Sequence, residues 1–349
     1  MPEEIFYNAL NIALASDYSG LADLKRRSGT WEVAYGHYQR HRDIPDPESE
    51  WKKIGDLGIQ LVLRGSGSYP PLLEEIAQPP HGLYVMGNLS VAEAATIAIV
   101  GTRKGTPEGK ELARCFAAEL SRAGFTIISG LALGIDAAAH AGCLESGGFG
   151  PARTGKTAAV LANGLDHFYP STNERLAKKI VEEGGAIISE YPPGAPALPY
   201  RFLERNRVVS GLSRGVLVIE APENSGSLAT ARYALDQNRD VFVVPGPVSH
   251  PNYKGSNQLI RQGAELVTEP REILETYGYD AEKKSALEEK TLSAEEIHIL
   301  SALRSSSRPL DVDKIIEMTT LEPHVANRLL SMLVVKNFIG ENERGYTII

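Results

Sequence analysis

Residues 96–104 read TIAIVGTRK, an apolar run that ends in a glycine, a hydroxyl residue and two cations. Six more short apolar runs follow it, at residues 125–129, 157–162, 186–189, 215–219, 241–244 and 265–268. Helical patterns separate these runs. Strands that alternate with helices build a parallel sheet covered on both faces, so this stretch predicts an α/β fold.

The carboxyl ends of the predicted strands carry backbone amides, hydroxyls and one strong cation. In a parallel sheet, ligands bind at this edge. The segments are Gly101-Thr102-Arg103, Ser129-Gly130, Asn163-Gly164 and, beyond Glu220, Ser225-Gly226-Ser227. Such donors suit phosphate or sugar-phosphate better than an apolar ligand. The Ser-Gly-Ser segment also opens a predicted helix, whose amino end favours anions.

Length and charge limit the classes of protein that fit. The 349 residues exceed one ordinary domain, and we expect two or three. The hydrophobic fraction of 42% supports a packed core rather than a disordered chain. Because the net charge is −8, any nucleic-acid site must be a local basic patch on an acidic body.

The sequence predicts a cytoplasmic protein that does not enter a membrane. It begins Met1-Pro2-Glu3-Glu4, which is acidic and precedes no long apolar core, so no signal peptide is expected. No stretch approaches the ~18 apolar residues that span a bilayer. Cys115 and Cys143 are far apart without CxxC spacing, which is typical of reduced core cysteines.

Composition shifts divide the chain into three domains and a linker. Residues 1–85 form short helical patterns, typical of either a docking module or a structural cap, with an extended connection near the paired prolines at 70–71 and 79–80. Residues 86–277 hold the sheet, and the charged residues 278–290 form a linker. Residues 291–349 predict three helices and a hairpin, which is the pattern of a winged helix. Its acidic residues make a protein contact at least as plausible as DNA binding.

Residues 200–207, YRFLERNR, are the strongest functional cluster, with two aromatic residues and three arginines at the start of a helix. Guanidinium groups pair with phosphates, and an aromatic ring offers a stacking face to an unpaired base. Arg103 and Lys254 are predicted to join the same rim. In the alternative interpretation, Phe202 is core and the arginines pair with Glu190, Glu204 or Glu220.

Two other motifs do not support catalysis. Residues 150–157, GPARTGKT, match the Walker A pattern, but a helix precedes them and a strand follows, which reverses the order that a P-loop requires. Asp136 and His140 stand one helical turn apart, yet no nucleophile or metal-ligand set accompanies them. We expect Asp136 to brace its loop and His140 to pack internally, and we predict neither a cofactor nor a metal.

Ordered blocks across the central domain resemble the DNA-processing protein A (DprA/Smf) family. They are IAIVGTRK (97–104), ISGLALGIDAAAH (128–140), ANGLDHFYPSTN (162–173), GGAIISEYPPG (184–194), RFLERNRVVSGLS (201–213), VIEAPENSGSLATARYALDQNRDVFVVPGP (218–247) and KGSNQLIRQGAELV (254–267). The flanks are similar to the family's SAM-like amino-terminal domain and to the winged helix of some members. Residues 148–155 stand out as a local insertion, and Leu203 replaces a common proline.

The resemblance implies an extended Rossmann-like domain that binds single-stranded DNA. Members protect incoming strands in natural transformation, help to load the RecA recombinase and form homodimers, without an established catalytic step. The family's DNA-binding positions fall on residues named above and on one further turn. The predicted DNA-binding residues are Gly101, Thr102, Arg103, Ser129, Gly130, Gly164, Phe202, Arg205, Asn206, Arg207, Ser225, Gly226, Ser227, Lys254, Gly255 and Asn257.

We therefore predict a recombination mediator that binds single-stranded DNA without ATP hydrolysis and is not an enzyme. The rival is a nucleotide-processing hydrolase similar to phosphoribohydrolases, in which Glu220 and Asp136 would be catalytic carboxylates. That class has a Pro-Gly-Gly-x-Gly-Thr loop, whereas residues 225–230 read SGSLAT. A purely structural adaptor does not explain the arginine and aromatic cluster.

Overall fold

The computed structural model describes residues 2–40, 44–146, 156–279, 292–304, 306, 309–336, 338–342 and 345–348. The chain divides into two compact units, residues 1–146 with 154–273, and residues 147–153 with 274–349. Two predicted segments fall largely outside the described residues. The insertion with its Walker-like match lies in a stretch where residues 147–155 are not described. In the predicted linker, residues 280–290 are not described.

The first unit is built on one sheet of nine strands. In chain order they are β1 (Gln60–Leu63), β2 (Gly82–Gly87), β3 (Thr96–Val100), β4 (Thr126–Ser129), β5 (Lys156–Leu161), β6 (Ala186–Ser189), β7 (Gly215–Val218), β8 (Asp240–Val243) and β9 (Glu265–Leu266). The strand order across the sheet is β1-β2-β6-β5-β4-β3-β7-β8-β9. The predicted α/β fold is confirmed.

Helices cover the sheet. They are α1 (Glu3–Ala13), α2 (Tyr18–Ser28), α3 (Trp31–Tyr38), α4 (Pro47–Asp56), α5 (Pro71–Glu74), α6 (Pro107–Arg122), α7 (Ile135–Ser146), α8 (Glu174–Glu182), α9 (Pro199–Gly211), α10 (Gly226–Asp236), α11 (Lys254–Arg261) and α12 (Pro270–Thr276). Short 3₁₀ turns lie at Leu89–Ala92, Ser171–Asn173 and Pro251–Tyr253.

The order of the strands places a switch point at β3. The chain runs from β3 through β4 and β5 to β6 on one side, then returns to pair β7 beside β3 and continues to β8 and β9. All seven of these strands pair in parallel with one another. In open α/β sheets, the crevice at such a switch point is where ligands bind.

Two strands at one edge are antiparallel and were not predicted. β2 pairs antiparallel with β6, and β1 pairs antiparallel with β2. The sequence predicts short helical patterns over residues 1–85, with an extended connection near the paired prolines at 70–71 and 79–80, and it predicts no strand there. The predicted boundary at residue 85 falls inside β2, since this strand continues the central sheet.

The amino-terminal helices pack on one face of this edge of the sheet. Phe6, Leu10 and Trp31 belong to the same buried cluster as Leu161 and Ile187. Because apolar side chains from both parts are removed from water together, the helices and the sheet share one core.

Hydrogen bonds add directional contacts to this shared core. The buried Tyr84 hydroxyl on β2 donates to Asn8 Oδ1 at 2.8 Å and accepts from Asn11 Nδ2 at 3.2 Å. Asn11 Nδ2 also lies 3.3 Å from the Glu190 carbonyl oxygen. Helix α1 is therefore tied to β2 and to the end of β6.

The first crossover helix begins and ends as its sequence predicts. Thr106 caps α6, because its Oγ accepts from the amide of Gly109 at 2.9 Å. Pro107 fits the first turn, where no amide partner is needed. Gly124 follows the helix with φ of +100°, a conformation that favours glycine.

Helices α6 and α7 approach closely at Gly142. A Cβ there would lie 2.5 Å from the Cα of Arg114 on α6, so the neighbouring backbone would have to move. We expect Gly142→Ala to lower the free energy of unfolding by about 1–3 kcal/mol, measured by urea denaturation.

The matched control is Gly36→Ala in α3, where no heavy atom lies within 4 Å of the added Cβ. Alanine is the better helix former, so this variant should gain up to about 1 kcal/mol. Equal effects at both positions would contradict the close-packing argument.

The second unit contains three helices and a hairpin within its described residues. They are α13 (Ala294–Arg304), α14 (Val312–Thr319), α15 (Pro323–Val335), β10 (Ile339–Asn342) and β11 (Gly345–Ile348). Leu310 also pairs with Tyr346, with backbone hydrogen bonds of 2.8 and 2.9 Å. A small core formed by Ile299, Ile315 and Leu330 holds the helices together. The winged-helix assignment stays a prediction.

Candidate nucleic-acid interface

A cleft of about 860 Å³ lies at the carboxyl end of the sheet, at the β3 switch point. We call it the strand-end cleft. It is lined by the loop after β3, by one face of α9, by the amino end of α10 and by Lys254. Its volume is at the upper end of the range for small-molecule sites. The cleft lies where the sequence predicts ligand binding, at the strand ends, and that binding stays a prediction.

Charge in the strand-end cleft opposes the charge of the whole chain. The charged residues that line it are Arg103, Lys104, Arg205, Lys254, Asp136 and Glu223. Arg205 and Asp136 are buried. The exposed charges are then three cations against Glu223 alone, on a chain of net charge −8. A local positive field of this kind attracts anionic ligands.

The loop after β3 is held rigidly, and its arginine projects from it. The amide of Thr102 donates to the carbonyl of Glu220 at 2.7 Å, and Thr102 Oγ accepts from the amide of Lys104 at 3.2 Å. Gly134, at φ +81°, passes so close to this loop that a Cβ would lie 2.7 Å from the Arg103 carbonyl oxygen. The exposed Arg103 side chain thus extends from a fixed base.

Three side chains contact the Phe202 ring. The Arg103 Cζ lies 4.9 Å from the ring centroid and the Arg205 Cζ lies 6.0 Å from it. The Tyr169 ring centroid is 5.5 Å away with the planes tilted by 55°. These separations are typical of cation–π and aromatic contacts, so the half-buried Phe202 ring is in contact with all three neighbours.

Arg205 forms the floor of the strand-end cleft rather than its rim. Its side chain is buried, and Nη1 donates to the carbonyls of Gly130, at 2.9 Å, and of Val160. Burial lowers its pKa to about 10, although Asp136 acts in the opposite direction. The prediction that Arg205 neutralises a phosphate conflicts with this position, because its guanidinium already binds the ends of β4 and β5.

Asp136 braces the loop, as the sequence analysis expected. Its Oδ2 accepts from the amide of Gly130 at 3.1 Å. Burial raises the pKa of Asp136, while Arg205 and the amides of Gly130, Ala132 and Gly101 oppose that rise. The amides of Gly101 and Gly130 are thereby occupied, which corrects the prediction that they cradle a DNA backbone.

The amino end of α10 offers a better anion site. Ser225 caps this helix, because its Oγ accepts a hydrogen bond from the amide of Ser227 at 3.3 Å. The hydroxyl oxygens of the two serines lie 2.6 Å apart. Asn206 Nδ2 donates to the carbonyl of Gly226 at 3.1 Å, which fixes the helix end against α9. The first amides of a helix carry partial positive charge and favour a phosphate.

Besides Arg207, four predicted residues do not line the strand-end cleft and have structural contacts instead. Ser129 Oγ donates to the Ile99 carbonyl at 2.6 Å. The amide of Gly164 donates to Ala195, and the amide of Gly255 donates to Ala221, both at 2.9 Å. Asn257 exchanges side-chain hydrogen bonds with the backbone of Gly246 at 3.0 and 3.3 Å.

Arg207 lies apart from the other predicted residues. Its Nη2 donates to both Glu190 carboxylate oxygens at 2.6 Å, and its guanidinium lies 5.6 Å from the Tyr18 ring centroid. Burial lowers the pKa of Arg207, but the Glu190 carboxylate outweighs burial and raises it overall. Arg207 therefore follows the alternative interpretation, in which an arginine of the cluster pairs with Glu190.

The candidate residues of the rival hydrolase are occupied in the same way. Glu220 accepts hydrogen bonds from the Thr106 amide at 3.0 Å, from its hydroxyl at 2.5 Å and from Asn252 Nδ2 at 2.9 Å. Burial raises the pKa of Glu220, but these hydrogen bonds outweigh burial and lower it overall. A carboxylate held in this way is stabilised as an anion and anchors the amino end of α6.

His140 packs internally, as expected. Its Nδ1 lies 2.7 Å from Thr157 Oγ, and burial lowers its pKa to about 3. In the part of the chain that the structure describes, no three His, Cys, Asp or Glu side chains group as metal ligands would. None of the described helices is long and apolar enough to cross a bilayer.

Among the residues that line the strand-end cleft, the sequence did not predict the cation Lys104 or the aromatic residue Tyr169. Lys104 directly follows Arg103, so the GTRK segment itself contained the signal. Tyr169 reaches the cleft from the loop after β5, and only the tertiary contact with Phe202 shows its place.

Residues 60–278 match the family model described as DNA recombination-mediator protein A. The chain belongs to the DNA recombination-mediator protein A family. It is 46% identical over 215 residues to protein Smf of Escherichia coli K12, which covers 62% of this chain and 56% of that protein. The match to protein Smf of Synechocystis covers 54% of that protein, so the chain spans little more than half the length of these first relatives.

Solved structures of family members share the fold. DNA processing protein A from Streptococcus pneumoniae aligns with a TM-score of 0.62 at 32% identity, covering 80% of this chain and 94% of that one. DNA processing protein A from Helicobacter pylori aligns with a TM-score of 0.55 at 28% identity, covering 63% and 95%. The latter structure concerns a single-stranded DNA-binding mode of that protein.

Proposed function

We propose that this protein is a sequence-independent single-stranded DNA-binding recombination mediator. The observation that carries the proposal is the strand-end cleft, where exposed Arg103, Lys104 and Lys254 surround an aromatic cluster on an acidic chain. Cations with aromatic faces are how proteins hold unpaired strands without reading sequence. The single-strand binding described for the Helicobacter pylori relative supports the same function.

In this proposal, phosphates bind at the rim. Arg103 and Lys254 neutralise them, and the amide of Gly226 with the hydroxyls of Ser225 and Ser227 receives one more at the amino end of α10. Phe202 belongs to the aromatic surface of the strand-end cleft, and buried Arg205 keeps the floor of the cleft in shape. Arg207 takes no part in this binding.

The remaining roles are proposed on the family relationship. The protein would protect incoming strands in transformation, help to load RecA, act as a homodimer in the cytoplasm and require no ATP. Its charged loops offer no catalytic step, because Asp136 and Glu220 are held by backbone and side-chain donors. The terminal domains would then contact partner proteins.

Fluorescence anisotropy of a labelled oligonucleotide tests the proposal. We expect the single strand to bind more tightly than a matched duplex, without ATP. Each phosphate contact should contribute roughly 0.7 to the slope of log affinity against log salt. An absence of binding at low salt would contradict the proposal, and release of free base from a nucleoside monophosphate would favour the hydrolase.

A further inference from the structure

The aromatic residues of the strand-end cleft differ in how much ring surface they leave open. Phe202 has Arg103 at 4.9 Å and Arg205 at 6.0 Å from its centroid, and Tyr169 at 5.5 Å. Rings whose centroids are 5.5 Å apart are in direct contact, so no base fits between Tyr169 and Phe202. Phe202 is half-buried, and these contacts occupy part of its ring surface.

Tyr169 is the other aromatic residue that lines the strand-end cleft, and its side chain is 43% exposed. It rests against Phe202 at a tilt of 55°, so the rest of its ring surface faces open space. Tyr200 is also exposed, but it lines a separate cavity with Arg201 and Arg207 on the other side of α9. Tyr169 is therefore the more exposed of the two rings that a strand held by Arg103 and Lys254 would meet in the cleft.

We infer that Tyr169 is the stacking platform for a base of the bound single strand, and that Phe202 is a positioning residue that holds Arg103. This inference rests on the proposed function. Phe202 contacts both Arg103 and Tyr169 and so links the cation to the exposed ring. Arg103 then contacts the phosphate while Tyr169 contacts the base, so one nucleotide is held at two points.

The test compares an oligothymidylate with an abasic oligonucleotide of equal length, both by fluorescence anisotropy at low salt. Tyr169→Ala should bind the oligothymidylate roughly 5- to 150-fold more weakly, the loss expected for one stacked base. Tyr169→Phe keeps the ring and should bind like the wild type. On the abasic strand, Tyr169→Ala should bind as well as the wild type, because there is no base to stack.

Phe202→Leu supplies the contrast. If Phe202 positions Arg103, this variant should weaken binding of both strands by a similar factor. The inference is overturned if Tyr169→Ala leaves the oligothymidylate affinity unchanged, if it weakens both strands alike, or if the Phe202→Leu loss disappears on the abasic strand. If the wild type binds neither strand, the proposed function itself fails, which is a distinct result.

Discussion

Arg103→Glu should abolish binding of single-stranded DNA at ~100 mM salt and leave the fold intact. Arg103 is exposed at the end of β3 and lies over the Phe202 ring, so the change removes a phosphate contact and places a negative charge in the strand-end cleft. A charge-assisted hydrogen bond is worth about 1.5–3 kcal/mol, so the lost contact alone lowers the affinity roughly 10- to 150-fold, and the introduced negative charge lowers it further.

The matched control is Lys52→Glu, which reverses an exposed charge on α4, outside the residues that line the strand-end cleft. It changes the net charge by the same amount, so both variants share any long-range effect. Anisotropy should separate them clearly, and both should unfold at the wild-type urea concentration. Equal affinities of Arg103→Glu and Lys52→Glu would exclude Arg103 from the binding site.

Arg207→Leu should destabilise the protein strongly without weakening DNA binding. Arg207 and Glu190 have side-chain exposures of 8% and 12%, and removing the arginine leaves a buried carboxylate without its partner. Breaking a buried ion pair in this way typically costs about 3–5 kcal/mol. Urea denaturation followed by circular dichroism measures the loss.

Two comparisons make this result specific. The double variant Arg207→Leu/Glu190→Leu should recover part of the stability, because it removes the lone charge as well. Arg26→Leu, at an exposed pair with Asp23, should change the unfolding midpoint little. A large loss of DNA affinity at unchanged stability would return Arg207 to the phosphate-binding role that the sequence suggested.

The position of each arginine on α9 was accessible in principle from helical spacing. Residues two apart point to different sides of a helix, whereas residues three and four apart share a side. Phe202, Arg205 and Asn206 accordingly line the strand-end cleft, and Arg207 lines the cavity on the other side. The cluster of residues 200–207 therefore divides between two environments, which composition alone does not show.

Edge strands were harder to predict for a different reason. β1 and β2 are four and six residues long, and β2 joins the sheet by pairing with β6, which lies far along the chain. Pairing of this kind depends on the rest of the sheet rather than on local pattern. The hydrogen bonds of the Gly101 and Gly130 amides were also not predictable from local pattern. Both amides donate to the Asp136 carboxylate, and this contact exists only once the loop has folded.

The α/β fold, the capping of α6 by Thr106 and membership in the family follow from local periodicity and from residues close in the chain. Which hydrogen-bond donors remain available for a ligand depends instead on how distant segments pack. Arg205 and Arg207 became buried and found acceptors in distant segments, whereas Arg103 stayed exposed. The physical reason is that a buried charge must be paired, and its partner is fixed by packing rather than by sequence neighbours.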